Sequence, residues 1–239
     1  NRSGVYFFPN EGVGITAESI CVYKDFYGQI SSKGNLKNGV WDGMLTKWAT
    51  NGEKGNEGNY INGKEEGTHY VWLLGYKVSE INYINGIREG KTISRTRPYW
   101  DFHATKQEGN YLNGKKEGKW TYWFEDFIAE EENFKAGLND GLWTLYHPKF
   151  GKVIQGHYKK GDADGSWSWS IHGDGVWQKA TFRKGELIGK CENFLEDKEG
   201  VTKEQINFIL SDMFGGNCSI DDARKAKNNY TKPSFKLKY

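Results

Sequence analysis

The stretch Tyr111-Leu-Asn-Gly-Lys-Lys-Glu-Gly-Lys-Trp-Thr-Tyr122 decides the fold, because its pattern occurs seven times in the chain. A glycine follows the leading aromatic residue after three positions, and a second glycine follows four positions later. The other six units lead with Leu36, Tyr60, Tyr83, Phe134, Tyr158 and Phe182. Between the first glycines of successive units, the steps are 24, 23, 28, 23, 24 and 24 residues. A nearly fixed period of this size predicts a stack of structural repeats.

Each unit consists of two alternating runs joined at the first glycine. Where asparagine precedes that glycine, the pair is a strong β-hairpin signal, because the tight turn needs positive φ at both central residues. Four units have the pair, at Asn38-Gly39, Asn62-Gly63, Asn85-Gly86 and Asn113-Gly114. The other three keep only the glycine, at Ala136-Gly137, Lys160-Gly161 and Lys184-Gly185. Every unit is therefore predicted to be a hairpin.

The second glycine of each unit has no evident turn role, and we expect it to let a ring from a neighbouring hairpin lie against bare backbone. Rings spaced two residues apart fall on one face of a strand. Each hairpin should then have an aromatic face and a polar face, and stacking should bury the aromatic one. The rings concerned are Trp120, Tyr122, Trp143, Trp167 and Trp169. They are also candidate binding residues, with the sheet's own core as the alternative role.

This pattern resembles the MORN repeat, in the longer-period form common in bacterial proteins, over roughly Gly34 to Lys190. The resemblance implies a mainly β fold, an elongated single-layer antiparallel sheet of stacked hairpins. MORN arrays occur as scaffolds, as lipid-associated modules, beside enzymes, and in bacterial proteins labelled as antitoxins of the YwqK type. Leu36 replaces the leading aromatic in the first unit, and no tryptophan follows Gly67 or Gly90. Ring stacking should therefore be poorer in the N-terminal half.

Three domains are predicted. Residues 1–33 form a β cap or a degenerate repeat, residues 34–190 form the seven repeats, and residues 191–239 form a small helical segment with a basic tail. Thr202-Lys-Glu-Gln205 is a capping-box start, and Ile206, Ile209, Leu210 and Met213 follow at helical spacing. The helix is expected to cover the end of the sheet, with a docking face for a partner as the alternative.

The step of 28 residues contains the candidate binding stretch Arg95-Thr-Arg-Pro-Tyr-Trp-Asp-Phe-His103. Arg95 and Arg97 beside Tyr99 and Trp100 could hold an anionic or planar ligand through bidentate contacts and stacking. Alternatively, Pro98 ends a strand and the rings pack on neighbouring hairpins.

The sequence predicts no enzyme, metal or cofactor. None of the five histidines has metal-ligand spacing with another histidine or a cysteine, and each is expected on the polar face. Glu130-Glu-Glu132 is interpreted as a surface charge run. Glu65, Glu66, Glu89 and Asp140 fall between the two glycines of their units and are expected to be solvated. Phosphate-loop and dinucleotide motifs are absent. Cys21, Cys191 and Cys218 are expected to be reduced thiols, with a Cys191–Cys218 pair as the alternative.

Composition limits the partners. With 33 basic and 31 acidic residues the net charge is +2, which gives no global field for nucleic acid. No apolar run is long enough for a transmembrane helix. The first hypothesis is therefore a protein-binding scaffold that uses aromatic residues as contact points, with homo-oligomers through the sheet ends as a further possibility. The alternatives are association with an anionic membrane surface, or carbohydrate or small-ligand binding on the rings. Localisation is expected to be cytoplasmic or membrane-peripheral, or exported if a signal peptide precedes Asn1.

Overall fold

The computed structural model describes residues 14–23, 28–96, 105–147, 151–171 and 175–193. These residues are mainly β, with seventeen strands and no helix among them. The predicted β fold is confirmed. The predicted C-terminal helix lies outside the described residues.

The strands are antiparallel to their neighbours along the chain, as expected for a series of hairpins. In the first half they are β1 (Ala17–Val22), β2 (Ile30–Lys37), β3 (Val40–Trp48), β4 (Lys54–Ile61), β5 (Lys64–Leu73), β6 (Tyr76–Ile84), β7 (Ile87–Thr96) and β8 (Thr105–Leu112). In the second half they are β9 (Lys115–Phe124), β10 (Phe127–Lys135), β11 (Leu138–Asn139), β12 (Gly141–His147), β13 (Gly151–Lys159), β14 (Asp162–Ala163), β15 (Gly165–Ile171), β16 (Gly175–Arg183) and β17 (Glu186–Asn193).

The chain divides into two compact units. Unit 1 comprises Asn1–Arg97 and Glu108–Lys116, and unit 2 comprises Pro98–Gln107 and Glu117–Tyr239. In unit 1, β1 to β7 pair in sequence order. In unit 2, β9 pairs with β10, and each later hairpin pairs with the next through β17.

All seven hairpin turns have the predicted backbone. Asn38, Asn62, Asn85 and Asn113 have φ between 49° and 53°, and the glycines that follow them are also positive. Ala136, Lys160 and Lys184 adopt the same conformation, with φ of 51°, 52° and 51°. Residues other than glycine and asparagine are disfavoured in this left-handed region. The turn geometry therefore persists even where the sequence does not favour it.

The predicted role of the second glycine is wrong. Its φ is positive in every unit, from 66° at Gly118 to 118° at Gly141. At Gly67 and Gly90 a Cβ would meet nothing within 4 Å. In several hairpins the strand register shifts at this point, so the glycine occupies a β-bulge that needs left-handed backbone.

Bare backbone does receive side chains at other glycines, two residues before the leading residue of a hairpin. A Cβ at Gly58 would lie 2.2 Å from His69 Nδ1, and one at Gly156 would lie 2.0 Å from Trp167 Cδ2. A Cβ at Gly34 would lie 3.1 Å from Leu45 Cδ1. These glycines make room for the residue two positions after the second glycine of the same hairpin.

A carboxylate links each hairpin to the next. The acid just before the second glycine accepts the backbone N–H of the first turn residue of the following hairpin. In unit 1 the pairs are Asp42 with Asn62 (3.0 Å), Glu66 with Asn85 (2.9 Å) and Glu89 with Asn113 (2.7 Å). In unit 2 they are Glu117 with Ala136 (2.8 Å), Asp140 with Lys160 (3.1 Å) and Asp164 with Lys184 (3.3 Å). Glu66, Glu89 and Asp140, which were expected to be solvated, thus also accept a backbone hydrogen bond at the surface.

The same contact occurs once before the first repeat. The Thr16 hydroxyl accepts the N–H of Asn38 at 2.9 Å, and the Ile15 carbonyl accepts that of Gly39 at 2.7 Å. Thr16 thus takes the place that the carboxylates take in later hairpins.

We call the sheet face that carries the leading residues the ring face of each unit. In unit 2 this face is a buried core. Its side chains at most 9% exposed include Trp120, Phe134, Trp143, Leu145, Ile154, Tyr158, Trp167, Trp169 and Phe182. Trp167 lies at its centre, 5.5 Å from Trp143 and 5.2 Å from Tyr158 between ring centroids. These separations suit edge-to-face and tilted ring packing.

In unit 1 the ring face is less filled. Its buried apolar side chains, as far as the chain is described, are Leu36 and Leu45. Two buried polar side chains, Ser79 and Thr92, also lie on this face. Among the described residues the Thr92 hydroxyl has no hydrogen-bond partner. The predicted poorer stacking in the N-terminal half is confirmed.

The expectation of three reduced thiols is wrong at Cys191, which is disulfide-bonded. Cys21 is a free thiol. Cys218 lies outside the described residues.

Candidate functional site

The predicted binding tryptophans lie inside unit 2. Trp120, Trp143, Trp167 and Trp169 are 1%, 3%, 1% and 2% exposed. Tyr122 is partly exposed, with its ring centroid 6.5 Å from that of Trp120. The four tryptophans thus supply packing within unit 2 and little surface that a ligand could reach.

The predicted binding arginine Arg95 lies in unit 1. Its guanidinium is 3.7 Å from Glu80, which also pairs with Lys77 at 3.3 Å. Arg97, Tyr99 and Trp100 lie outside the described residues. The predicted grouping of Arg95 with these three residues therefore stays a prediction.

Rings and cations also meet on the face opposite the ring face of unit 1. Lys54 lies 4.9 Å from the Trp72 ring centroid, and Lys77 lies 4.7 Å from that of Tyr70. Lys54 also pairs with Glu57 at 2.8 Å, and this hydrogen bond lowers the pKa of Glu57. Lys54 and Lys77 are therefore already paired with carboxylates.

A different row of side chains emerges on the ring face of unit 1. Tyr60, Tyr83 and Tyr111, the leading residues of three hairpins, are partly exposed. His69 lies between the first two, with its ring centroid 5.1 Å from each in edge-to-face packing. Arg88 follows, with its guanidinium carbon 5.4 Å from the Tyr111 ring centroid. We call these five residues the tyrosine ladder.

The hairpin register explains this order. A two-residue turn places the leading residue opposite the residue five positions later, so that Tyr60 pairs with Glu65 and Tyr83 with Arg88. Directly paired residues of antiparallel strands lie on one face. His69 is held by a 2.8 Å hydrogen bond between its Nε2 and the Asn59 carbonyl, above the bare backbone of Gly58. The expectation that every histidine lies on the polar face is therefore wrong for His69.

Arg88 carries the positive charge of the ladder. It is exposed, and its Nη1 donates to the Tyr111 hydroxyl at 3.4 Å. Hydrogen bonds to the Tyr83 and Tyr111 hydroxyls raise the pKa of Arg88. Within the described residues no carboxylate pairs with Arg88, in contrast to Arg95. Arg88 is thus an exposed cation whose hydrogen-bond partners are phenol hydroxyls.

The Tyr60 phenol of the ladder stays neutral. Burial, followed by the charge of Glu65 and the neighbouring Tyr83, raises the pKa of Tyr60. Since the ordinary value is already about 10, Tyr60 keeps its hydroxyl proton at physiological pH. The ladder therefore offers hydrogen-bond donors on phenol rings beside one fixed guanidinium.

Unit 2 holds two buried carboxylates that sequence reasoning placed at the surface. Glu130 is 2% exposed and accepts the indole N–H of Trp143 at 2.6 Å. Glu132 is 9% exposed and accepts from the Asn139 amide at 3.3 Å. Glu131 alternates to the opposite face, where Lys119 pairs with it at 2.6 Å. The surface interpretation is therefore wrong for Glu130 and Glu132.

The described residues contain no group of three or more histidine, cysteine, aspartate or glutamate side chains that could hold a metal ion. They also contain no helix of the length and hydropathy needed to cross a bilayer.

Sequence reasoning missed the ladder although part of its signal was present. In the hairpins led by Tyr60, Tyr83, Phe134 and Tyr158, the residue five positions after the leading aromatic is Glu65, Arg88, Asn139 and Ala163, respectively. That spacing would have placed Arg88 beside a tyrosine. The exposure of the rings could not be read in this way, because it depends on how much of the face the neighbouring hairpins fill.

No protein-family model matches the chain, and no curated protein matches it significantly. The resemblance to MORN repeats stays a prediction that rests on the seven units.

Proposed function

We propose that the chain is a non-enzymatic repeat scaffold of the MORN type, ending in a helical segment, that binds a protein partner through the tyrosine ladder. One observation carries the proposal. The leading rings Tyr60 and Tyr83 of unit 1 are partly exposed, whereas Tyr158 and Phe182 of unit 2 are 5% and 6% exposed.

The chemistry of the ladder fits such a role. Tyrosine and arginine are enriched among residues that dominate binding energy at protein interfaces. A partly exposed tyrosine combines a large apolar ring with a hydroxyl for orientation, and only two rotatable bonds must be fixed on binding. The hairpin backbone holds the ladder residues at fixed spacing, so that little ordering is needed when a partner binds.

The proposal can be tested by affinity capture from an extract of the source cells. The wild-type chain is compared with the double variant Tyr60→Ser, Tyr83→Ser and with the control Tyr70→Ser, since Tyr70 lies on the opposite face. We expect a partner that is retained by the wild-type chain and the control and lost from the double variant. Thermal melting of all three establishes that each is folded.

A partner retained equally by the double variant would contradict the proposal. Binding of the wild-type chain to anionic vesicles or to a glycan array, with no partner captured, would replace it with one of the two alternatives stated for the sequence.

A further inference from the structure

The spacing of the tyrosine ladder limits what can lie along it. Each hairpin contributes two strands, so successive leading residues are about 9.6 Å apart at the usual strand separation. The centroid distances of 5.1 Å from Tyr60 to His69 and 5.1 Å from His69 to Tyr83 agree with this spacing. A ligand that contacts several of these tyrosines must therefore present equivalent groups at this distance.

A polyproline II helix has this repeat. It advances about 3.1 Å per residue with three residues per turn, so one face recurs about every 9.3 Å. A β-strand presents one face about every 6.6 Å, which matches neither the tyrosine spacing nor the ring-to-histidine spacing. An α-helix, with a pitch of about 5.4 Å, matches the ring-to-histidine spacing better than a strand does.

Hydrogen-bonding capacity separates the two helices. The hydroxyls of Tyr60 and Tyr83 are donors, and burial helps to keep the Tyr60 phenol neutral. A polyproline II backbone has no internal hydrogen bonds, so its carbonyls are free to accept from these phenols. The carbonyls of an α-helix are already paired within the helix. Aromatic-lined grooves bind proline-rich segments in known recognition modules, which also exploit the preformed polyproline II helix.

Arg88 adds a charge requirement. It lies against Tyr111, hydrogen-bonds to the phenols, and no carboxylate within the described residues neutralises it. Glu89, its neighbour along the strand, is held instead by the backbone N–H of Asn113 at 2.7 Å. A guanidinium binds a carboxylate through two parallel hydrogen bonds. A ligand with one carboxylate near Tyr83 and Tyr111 would form this pair with Arg88.

We infer that the tyrosine ladder binds a proline-rich segment in the polyproline II conformation that carries a carboxylate against Arg88. The inference rests on the proposed function and names the class of partner. The tyrosines receive every third residue of the segment, and their hydroxyls donate to its backbone carbonyls.

The test uses the full chain and synthetic peptides, with affinities measured by fluorescence anisotropy. The probe is a labelled nonapeptide of eight prolines with glutamate at the centre. One control peptide has glutamine in place of glutamate. A second has alternating glycine and serine in place of the prolines, and a third carries the glutamate in an alanine-rich helix.

We expect the probe to bind at least about tenfold more tightly than every control peptide, since a charge-assisted bidentate pair exceeds a neutral hydrogen bond in strength. Arg88→Gln should reduce probe affinity about tenfold and abolish the preference for glutamate over glutamine. Arg183→Gln is the matched control, because Arg183 is exposed in unit 2 outside the ladder, and it should bind as the wild type does.

Equal binding of the probe and the glycine–serine peptide, tighter binding of the helical peptide, or unchanged affinity in Arg88→Gln would each overturn the inference. Thermal melting identifies a variant that fails to fold, and Tyr83→Phe, which keeps the ring but removes the donor, then serves as the second test with an expected loss of about threefold to tenfold. If the peptides fail while cell extract still yields a partner that depends on Tyr60 and Tyr83, the polyproline inference is wrong and the scaffold function stands. If both fail, both are wrong.

Discussion

Unit 1 and unit 2 build the same hairpin but place different side chains two positions after the second glycine. In unit 1 these residues are Leu45, His69 and Thr92, whereas in unit 2 three of the four are tryptophans, Trp120, Trp143 and Trp167, and the fourth is Cys191. The tryptophans fill the ring face of unit 2, whereas the smaller side chains leave the ring face of unit 1 partly open to solvent.

The turns show the opposite difference, because those of unit 1 have the residues better suited to left-handed backbone. The four asparagine–glycine turns, which begin at Asn38, Asn62, Asn85 and Asn113, all lie in unit 1, and the turns of unit 2 begin with Ala136, Lys160 and Lys184. Asparagine tolerates left-handed backbone better than alanine or lysine does. Unit 1 thus has favourable turns and a sparse core, whereas unit 2 has strained turns and a dense core. The comparison teaches that one hairpin geometry can be stabilised locally or by packing, and that the locally stabilised unit is free to expose its rings.

The largest difference should appear when the core residue itself is removed. Trp167→Ala should destabilise the chain by about 3–5 kcal/mol, because a fully buried ring leaves a cavity among other rings. The equivalent His69→Ala should lose only about 0.5–1.5 kcal/mol, the range that aromatic pairs contribute beyond the area they bury, because His69 is partly exposed. Urea denaturation of both variants measures the two losses. Equal losses would refute the contrast between the cores.

A second comparison uses the glycines beneath these side chains. In Gly156→Ala the new Cβ would lie 2.0 Å from the Trp167 ring, which is enclosed and cannot move away. We expect a loss of about 1–3 kcal/mol, the range for overpacked cores. In Gly58→Ala the partly exposed His69 can swing towards solvent, so the loss should be smaller. Thermal melting distinguishes the two, and a larger loss at Gly58 would show that His69 is held as tightly as Trp167.

The sparse core of unit 1 should be open to improvement. Thr92 is 6% exposed, and its hydroxyl has no hydrogen-bond partner among the described residues. Thr92→Val replaces the buried hydroxyl by a methyl group of similar volume, so we expect stabilisation by about 1 kcal/mol. The control Thr68→Val removes an exposed hydroxyl that donates to Asn82 at 2.6 Å, and it should not stabilise. A loss of stability in Thr92→Val would mean that its hydroxyl is satisfied in solution.

The smallest effect should come from the turns. Lys160→Asn should stabilise the chain by roughly 0.5 kcal/mol, since asparagine is better suited to a φ of 52°. The reverse change in unit 1, Asn85→Lys, should destabilise by a similar amount. Urea midpoints measured side by side test both signs. If neither change matters, the turns do not compensate for the core.

The repeats and turns could be predicted from the sequence because they depend on local rules. Positive φ at an Asn-Gly pair is a property of two neighbouring residues, and the period is visible by counting. The second glycine was misread because a bulge and a close contact both call for glycine, and only the backbone distinguishes them. The hydrogen bonds of the acids before that glycine were not predicted because their partners are amides about twenty positions later in the chain.

The candidate site was the least predictable part. Tyr60 and Tyr158 occupy the same position of the sequence pattern, but Tyr60 is partly exposed and Tyr158 is buried. The pattern therefore does not decide their exposure, which depends on the packing around each ring. Glu130 and Glu132 were assigned to the surface by charge, but period-two alternation places them on the ring face with the tryptophans.

By itself, the sequence determined a series of β-hairpins with a fixed period and left-handed turns, since each of these is imposed by residues close together in the chain. The tertiary structure decided which ring face is closed and which presents the tyrosine ladder with Arg88. That outcome depends on how large side chains from successive hairpins fill a shared space, and no single repeat contains this information.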